Sequence, residues 1–434
     1  MLEYLHLVNV GPAPEMEMEL APRLNLITGD NGLGKSFLLD LMWWALTRRW
    51  PHDLNPRLTS GYPARPTDPR SRATIGFRLT SKSRQGVAYE SHYVARDEAW
   101  TGKAGRPWNP GLIVYAHSDG GFSVWDPARN YWKQKGRVDV QERLPGYVFS
   151  ANDVWDGLAM PVDGKPTLVC SGLLRDWAIW IRENGENAQH MASVLAGLVP
   201  APEYIAPGPL MRLSVNDARD IPSIRTAYSK GVPIVHASAG IRRAAGLAYM
   251  LMWSWTEHVL AARQLGEDCT TQVVMLFDEL ESHLHPRWQR SILRSVFNAA
   301  RVLLPQATIQ IVAATHSPLV LASAEPEFDE TMDKIFHFDL MNGLVGLREV
   351  PWAKQGDVVN WLVSDIFGLQ QGRSIEAERA IEAAEAYMRN DHGALPIGLQ
   401  TRDDIHRELV RVLAGHDLFW PRWVVSGERQ EEKS

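Results

Sequence analysis

Apolar residues of this chain first recur at every second position. Leu5 and Leu7 face one way, and Met and Leu alternate with Glu from Glu15 to Leu20. A period of two marks half-buried strands, and Pro12 and Pro14 separate the pair. The run Leu24-Asn25-Leu26-Ile27-Thr28 is continuous, as in a strand buried on both faces. A glycine-rich turn follows, then helix-forming sequence to about Trp50. Five prolines (51, 56, 63, 66 and 69) and Gly61 predict a loop over 51–72. Strands are predicted at 73–79, 87–94, 112–115, 121–125 and 147–149. The third and fourth of these flank the hairpin turn Ser118-Asp119-Gly120. Steps of three and four return over 170–198 through Leu173, Leu174, Trp177, Ile181, Met191, Val194, Leu195 and Leu198, predicting helix. A long helix is predicted over 241–265, buried strands at 271–277 and 308–314, and a helix between them at 288–304. Late strands at 334–338 and 345–350 turn about Asn342-Gly343, and beyond 355 the chain reads mainly helical. Strands alternating with helices in this way predict an α/β fold.

The turn after the first buried strand reads Gly29-Asp30-Asn31-Gly32-Leu33-Gly34-Lys35-Ser36. This is the phosphate-binding P-loop, in its expected strand–turn–helix context. Glycines let the backbone wrap where a Cβ would collide, so that successive N–H groups cradle phosphates. The Lys35 ammonium suits the β- and γ-phosphates, and the Ser36 hydroxyl suits Mg²⁺. Gly29, Asn31, Gly32, Gly34, Lys35 and Ser36 are therefore the expected ATP-binding residues.

The buried strand at 271–277 runs into Asp278-Glu279. Asp278 suits a metal-holding role with Ser36, and Glu279 suits the base that orients an attacking water. The second buried strand runs into Thr315-His316-Ser317, and strand C-termini are where ligands bind in open α/β sheets. His316 is thus a candidate catalytic residue, able to donate to a γ-phosphate. Ala237-Ser238-Ala239-Gly240-Ile241-Arg242-Arg243 opens the long helix. With Ser238 as its N-cap, this start offers free N–H groups to an anion. Because the P-loop already serves the chain's own phosphates, Ser238 and Gly240 are expected to act on nucleotide held by another subunit.

In this order, the P-loop, the serine/glycine signature, the Asp-Glu strand end and the strand-end histidine resemble the ATP-binding cassette ATPases. The soluble RecF/SMC/OLD-like branch, found in prokaryotic DNA repair and anti-phage defence, is the nearest likeness. Ser238-Ala239-Gly240-Ile241-Arg242 is similar to the S-x-G-x-R form of the repair branch, and Glu281-Ser282-His283-Leu284-His285-Pro286 to its D-loop. The resemblance implies an α/β P-loop NTPase. Its ABC-type head has a mixed sheet and a helical lobe, beside a strand-rich insert and a helical C-terminal region. It implies ATP and Mg²⁺ as ligands, ATP hydrolysis, and a homodimer closed on shared nucleotides. The expected divisions are a P-loop half at 1–50, an insert at 51–235 holding strands and a helical lobe, the signature, Asp-Glu and histidine half at 236–350, and a helical, partner-docking region at 351–434. The glutamine that the family places between P-loop and signature has only Gln85, Gln134, Gln141 and Gln189 as candidates, with Asn152 as a substitute.

Charge bears on partners. The net charge of -6 excludes a protein coated in basic surface. Residues 48–84 nevertheless carry nine Arg or Lys against Asp53 and Asp68. That segment is a candidate for DNA backbone contact, with a solvated face or an acidic partner as the equal alternative. Two distant cysteines, Cys170 and Cys269, exclude a disulfide framework and suit a cytoplasmic setting. No apolar stretch reaches the ~20 residues of a membrane span, and no signal peptide is expected. No nuclease chemistry is visible, so an output through a separate effector such as a nuclease is expected. The stretch Leu418-Phe419-Trp420-Pro421-Arg422-Trp423 is read either as its docking element or as core. A transporter's nucleotide-binding subunit and a protein-sensing ATPase without DNA contact are the alternatives.

Overall fold

The computed structural model describes residues 1–102, 108–131, 143–162, 164–199 and 203–431. Strands β1 (Leu2–Val8), β2 (Glu15–Glu19) and β3 (Leu24–Gly29) lead through the P-loop into α1 (Lys35–Thr47) and the short α2 (Pro51–Leu54). Then come β4 (Thr74–Thr80), β5 (Gly86–Val94), β6 (Ala99–Trp100), β7 (Leu112–Ala116), β8 (Phe122–Trp125), α3 (Pro127–Asn130), β9 (Tyr147–Phe149) and α4 (Ala151–Asp156). A lobe follows, built of β10 (Leu158–Val162), β11 (Lys165–Cys170), α5 (Leu173–Glu183), α6 (Glu186–Leu198), β12 (Ala206–Pro207), β13 (Ser223–Arg225) and β14 (Val232–Pro233). The core resumes with α7 (Ala239–Leu265), β15 (Gln272–Asp278), α8 (Pro286–Gln289), α9 (Ile292–Leu303), β16 (Thr308–Ala314), α10 (Pro318–Ala324), β17 (Asp333–Met341) and β18 (Leu344–Val350). Last are α11 (Val358–Leu362), α12 (Ile375–Met388), α13 (Arg402–Val412) and α14 (Trp420–Glu431).

The principal sheet runs β18-β17-β3-β16-β15-β7-β8-β9. Its five central strands, β17 to β7, are parallel, and antiparallel strands finish both edges. β16 therefore lies between the P-loop strand β3 and β15. All three parallel strands point their C-terminal ends at one rim, which gathers Gly29, Asp278 and Thr315. A second sheet, β2-β1-β4-β5-β6, is wholly antiparallel. The strands read at 73–150 thus divide. The first members join β1 and β2, whereas β7 enters the principal sheet beside β15.

Helix α1 packs in the core shared by the two sheets, which is why it is apolar nearly all round. Leu38, Leu39, Leu41, Met42, Trp43 and Trp44 are all buried there with Ile75, Phe77, Leu276 and Val312. Each such side chain contributes roughly 1.5–3 kcal/mol of burial free energy. The buried Gln310 carboxamide ties the sheets at their rim, donating to the Leu2 and Ala21 carbonyls and accepting from Leu2 N at 2.9 Å. The paired tryptophans serve packing: Trp43, Trp44, Trp177 and Trp253 are buried.

Periodicity alone gives one helical stretch over 170–198, but the structure breaks it at Asn184, which caps α5 in the left-handed region at φ 50°. The helix read at 288–304 likewise splits at Ser291 into α8 and α9. Among the described residues no helix is long and apolar enough to cross a membrane.

The chain forms two compact units, Met1–Gly356 and Asp357–Ser434. The second is helical around Ala380, Ala384, Ile405, Leu409, Phe419 and Trp423. Phe419 and Trp423 are therefore core, which decides that part of the 418–423 stretch in favour of packing. Leu418, Pro421 and Arg422 are exposed, Leu418 at 87%.

Candidate nucleotide site

Three P-loop glycines take backbone conformations that favour glycine, at φ 133°, 80° and 100° for Gly29, Gly32 and Gly34. Two are also sterically compelled. A Cβ on Gly29 would lie 2.7 Å from the Phe338 carbonyl oxygen, and one on Gly34 would lie 2.6 Å from Pro12 Cγ. The neighbouring strand β17 and the β1–β2 loop thus press the P-loop into shape. Asn31 is exposed at its tip.

Lys35 points back into the loop. Its Nζ donates to the carbonyls of Gly29 at 2.8 Å and Asp30 at 2.7 Å. Burial pulls its pKa down to about 8, against the opposing pull of Asp278, Glu279 and Asp30. The next residue, Ser36, donates from Oγ to Asp278 Oδ1 at 3.0 Å, across 242 residues of sequence. Burial pushes the Asp278 carboxyl up, and the hydroxyls of Ser36 and Ser118 pull it back.

Glu279 follows with φ 50°, a left-handed conformation that costs a non-glycine residue about 1 kcal/mol. The turn leaves its carboxylate half-exposed, with Oε1 3.9 Å from His316 Nε2. Burial first, and then the Lys35 charge, hold the His316 pKa below its usual range. A neutral imidazole presents one donor and one acceptor nitrogen. The His316 backbone is fixed by its N–H donating to Glu281 Oε1 at 2.6 Å. Ser317 caps α10 and donates to Gln289 Oε1 at 2.7 Å.

The structure therefore gathers Gly29, Gly32, Gly34, Lys35, Ser36, Asp278, Glu279 and His316 at one rim. Ser238 and Gly240 lie apart. Ser238 caps α7, its Oγ accepting from Ile241 N at 3.4 Å. Both residues line a cleft of about 740 Å³ with Tyr228, His283, Leu284 and Trp288, and none of its lining residues belongs to the P-loop. A Cβ on Gly240 would meet the His283 carbonyl oxygen at 3.0 Å, so the helix start and the 281–286 turn approach closely.

Two residues that sequence reasoning passed over enter the rim. Ser118, read only as a hairpin turn residue, follows β7 and hydrogen-bonds Asp278. Arg243, one turn into α7, donates from Nη2 to the His117 carbonyl at 2.7 Å and faces Asp119, Asp278 and Glu279. Nothing in the sequence announces that β7 lies beside β15, so neither carried a signal. Of the glutamine candidates, Gln85 is in the β4–β5 turn and Gln189 on the exposed face of α6. Asn152 is exposed on α4, and Gln134 and Gln141 lie outside the described residues.

Four of the nine cations in the basic segment 48–84 are ion-paired. Arg57 pairs with Asp153 at 2.8 Å, Arg65 with Glu98 at 2.8 Å, Arg72 with Glu90 at 3.5 Å and Arg78 with Glu3 at 3.2 Å. Arg48 is stacked 3.5 Å over the Trp44 ring. The segment's surplus in sequence is reduced, not cancelled, by acids drawn from outside it.

Sheet order and rim define a P-loop NTPase with an ABC-like core. The model of an "AAA domain" matches residues 4–96, which hold the P-loop. That of an "AAA domain, putative AbiEii toxin, Type IV TA system" matches residues 228–322, which hold Ser238, Asp278, Glu279 and His316. These two segments of the chain are similar to AAA domains. The chain is 34% identical over 110 residues to the Septu protein PtuA of Bacillus thuringiensis, covering 23% of this chain and 24% of that protein. It is 33% identical over 70 residues to the retron Vc95 probable ATPase of Vibrio cholerae serotype O1 biovar El Tor, covering 16% of this chain and 12% of that protein. The chain thus spans about a quarter or less of the curated relatives it matches. Among solved structures, an SMC head bound to the C-winged helix domain of ScpA aligns with 81% of this chain and 98% of that one, at 12% identity and TM-score 0.41. The SMC head domain from Thermotoga maritima aligns with 81% and 100%, at 13% identity and TM-score 0.39.

Proposed function

We propose that this chain binds ATP with Mg²⁺ at the β3–α1 rim and hydrolyses it to ADP and phosphate. On this reading two copies close on shared nucleotides as a switch for a separate effector, such as a nuclease, in cytoplasmic anti-phage defence or DNA repair. The observation that carries it is the 3.0 Å contact of Ser36 with Asp278, with Glu279 and His316 just beyond.

Mg²⁺ fits this pair. The two side chains supply hard oxygens, and no group of three or more His, Cys, Asp or Glu able to hold a metal occurs among the described residues. Ser36 and Asp278 would hold the ion together with phosphate and water oxygens. Bound there, the ion would supply charge neutralisation on the phosphates.

Lys35 exchanges its two backbone carbonyls for phosphate oxygens when nucleotide enters. Glu279 orients water and accepts its proton, and His316 donates to the γ-phosphoryl oxygen. Transfer to water needs positioning and charge stabilisation more than covalent help, so these groups suffice. Ser238 and Gly240 offer the α7 N-terminus to nucleotide on a second copy.

The test is sizing of Glu279→Gln with and without ATP, then hydrolysis by the parent chain with and without DNA. ATP-dependent dimers support the switch; a strict monomer overturns it. Dimers with DNA-insensitive hydrolysis support a second reading, a protein-sensing ATPase. The four ion pairs in segment 48–84 lower, without cancelling, the charge it could offer a duplex. A transporter's nucleotide-binding subunit would instead require a membrane partner.

A further inference from the structure

A second cavity, of about 450 Å³, lies in the insert lobe between α5, the end of α4 and the loop before β13. No nucleotide-site residue lines it. Four guanidiniums do, from Arg175 and Arg182 on α5 and from Arg212 and Arg219 on the loop, against the carboxylates of Asp156 and Asp220. The acids are shared. Asp220 is paired with Arg182 and, at 2.9 Å, with Arg212. Asp217 and Asp156 both hold Arg219, at 3.0 and 3.3 Å. Arg175 forms no ion pair within 4.0 Å among the described residues. Arg182, Arg212 and Arg219 keep more than half of their side-chain surface in solvent, within reach of an added anion, although Arg219 already donates from all three of its nitrogens to Asp217 and Asp156.

The wall beside these cations is apolar. Leu174, Ala178 and Ile179 rise along α5 at helical spacing, with Trp155 opposite. Ile179 is 39% exposed, an apolar side chain left at the mouth. Arg175, Ile179 and Arg182 share one helix stripe, so charge and apolar surface alternate along one line. Guanidinium forks match phosphate oxygens bidentately, whereas a planar indole and aliphatic side chains match a base. The volume lies in the range of small-ligand sites.

We infer that this lobe cavity is a second, non-catalytic site for a phosphate-bearing nucleotide unit, either free or within a single strand of nucleic acid. It requires neither the P-loop nor dimerisation, so it stands apart from the proposed switch.

The experiment uses the full chain carrying Lys35→Ala, which silences the P-loop, and a fluorescently labelled twelve-nucleotide single-stranded DNA read by anisotropy. The expected result is saturable binding that weakens steeply with salt. Arg175→Glu should weaken it tenfold or more, and Arg175→Lys less. Arg175 makes no ion pair among the described residues, so its variants should keep the parent melting temperature, measured alongside. If unlabelled AMP at millimolar concentration competes with the strand, the free nucleotide is the source recognised. If only strands compete, the site reads single-stranded nucleic acid. Absence of binding by either probe, or binding that Arg175→Glu leaves unchanged, overturns the inference.

Discussion

Arg243 and the carbonyl of His117 meet at 2.7 Å, joining the first turn of α7 to the turn after β7. Ser118, the next residue, touches Asp278, so the helix that begins at Ser238 is tied directly to the rim of its own chain. Replacing Arg243 by Ala removes the charged donor from a carbonyl that keeps only the Gly120 N–H at 3.2 Å, a loss of about 1 kcal/mol or more. The expected outcome is a lower melting temperature and hydrolysis reduced about tenfold, with nucleotide affinity nearly unchanged. Arg243→Lys should recover stability more than rate. Calorimetry and steady-state kinetics on the same samples check the split.

Lys35 carries a pH signature. Burial draws its pKa down to about 8, so above that pH the free chain loses the ammonium that phosphates need. Nucleotide affinity should fall as pH rises through 8, by at most about tenfold per pH unit. Lys35→Arg should bind more weakly, because a planar fork replaces a compact charge, but with a flat profile from pH 7.5 to 10. Titration of a fluorescent ATP analogue at several pH values distinguishes the two.

Gly29 tests the shape of the cradle. Its Cβ would lie 2.7 Å from the Phe338 carbonyl, in backbone and not in a yielding side chain, at φ 133°. Gly29→Ala should cost about 2 kcal/mol or more and abolish ATP binding. Gly32, with nothing within 4 Å of its ideal Cβ, meets only the strain of its φ of 80°. Gly32→Ala should therefore destabilise less, as thermal melts would show.

Asp40 sits one turn behind Ser36, accepting from Tyr115 Oη at 3.0 Å and from Gly61 N at 3.1 Å. Burial pushes its carboxyl up to about 7. The folded chain then holds a proton that the unfolded chain releases near pH 4, so stability falls as pH rises from about 4 to about 7. Asp40→Asn keeps an acceptor without the ionisation. It should be more stable than the parent at pH 8, by about 1–2 kcal/mol, and show no such slope. Denaturant melts at pH 5 and pH 8 give the comparison.

Chemistry confined to one stretch of chain was legible in the residues. Gly29 to Ser36 declare their turn because their glycines and lysine are local requirements of backbone geometry and phosphate charge. Asp278 and His316 declared themselves by standing just past apolar runs long enough to be buried strands. Most helices and strands followed from period alone, because each must bury one face.

Relations across the sheet were decided only by tertiary structure. Pairing β7 with β15 turned a hairpin turn at Ser118 into a contact of Asp278, and no local pattern encodes which strands become neighbours. Folding also drew Glu3, Glu90, Glu98 and Asp153 onto the basic segment, lowering a surplus that the sequence shows undiminished. Composition counts charges along the chain, whereas electrostatics depends on distances that exist only once the sheets have closed.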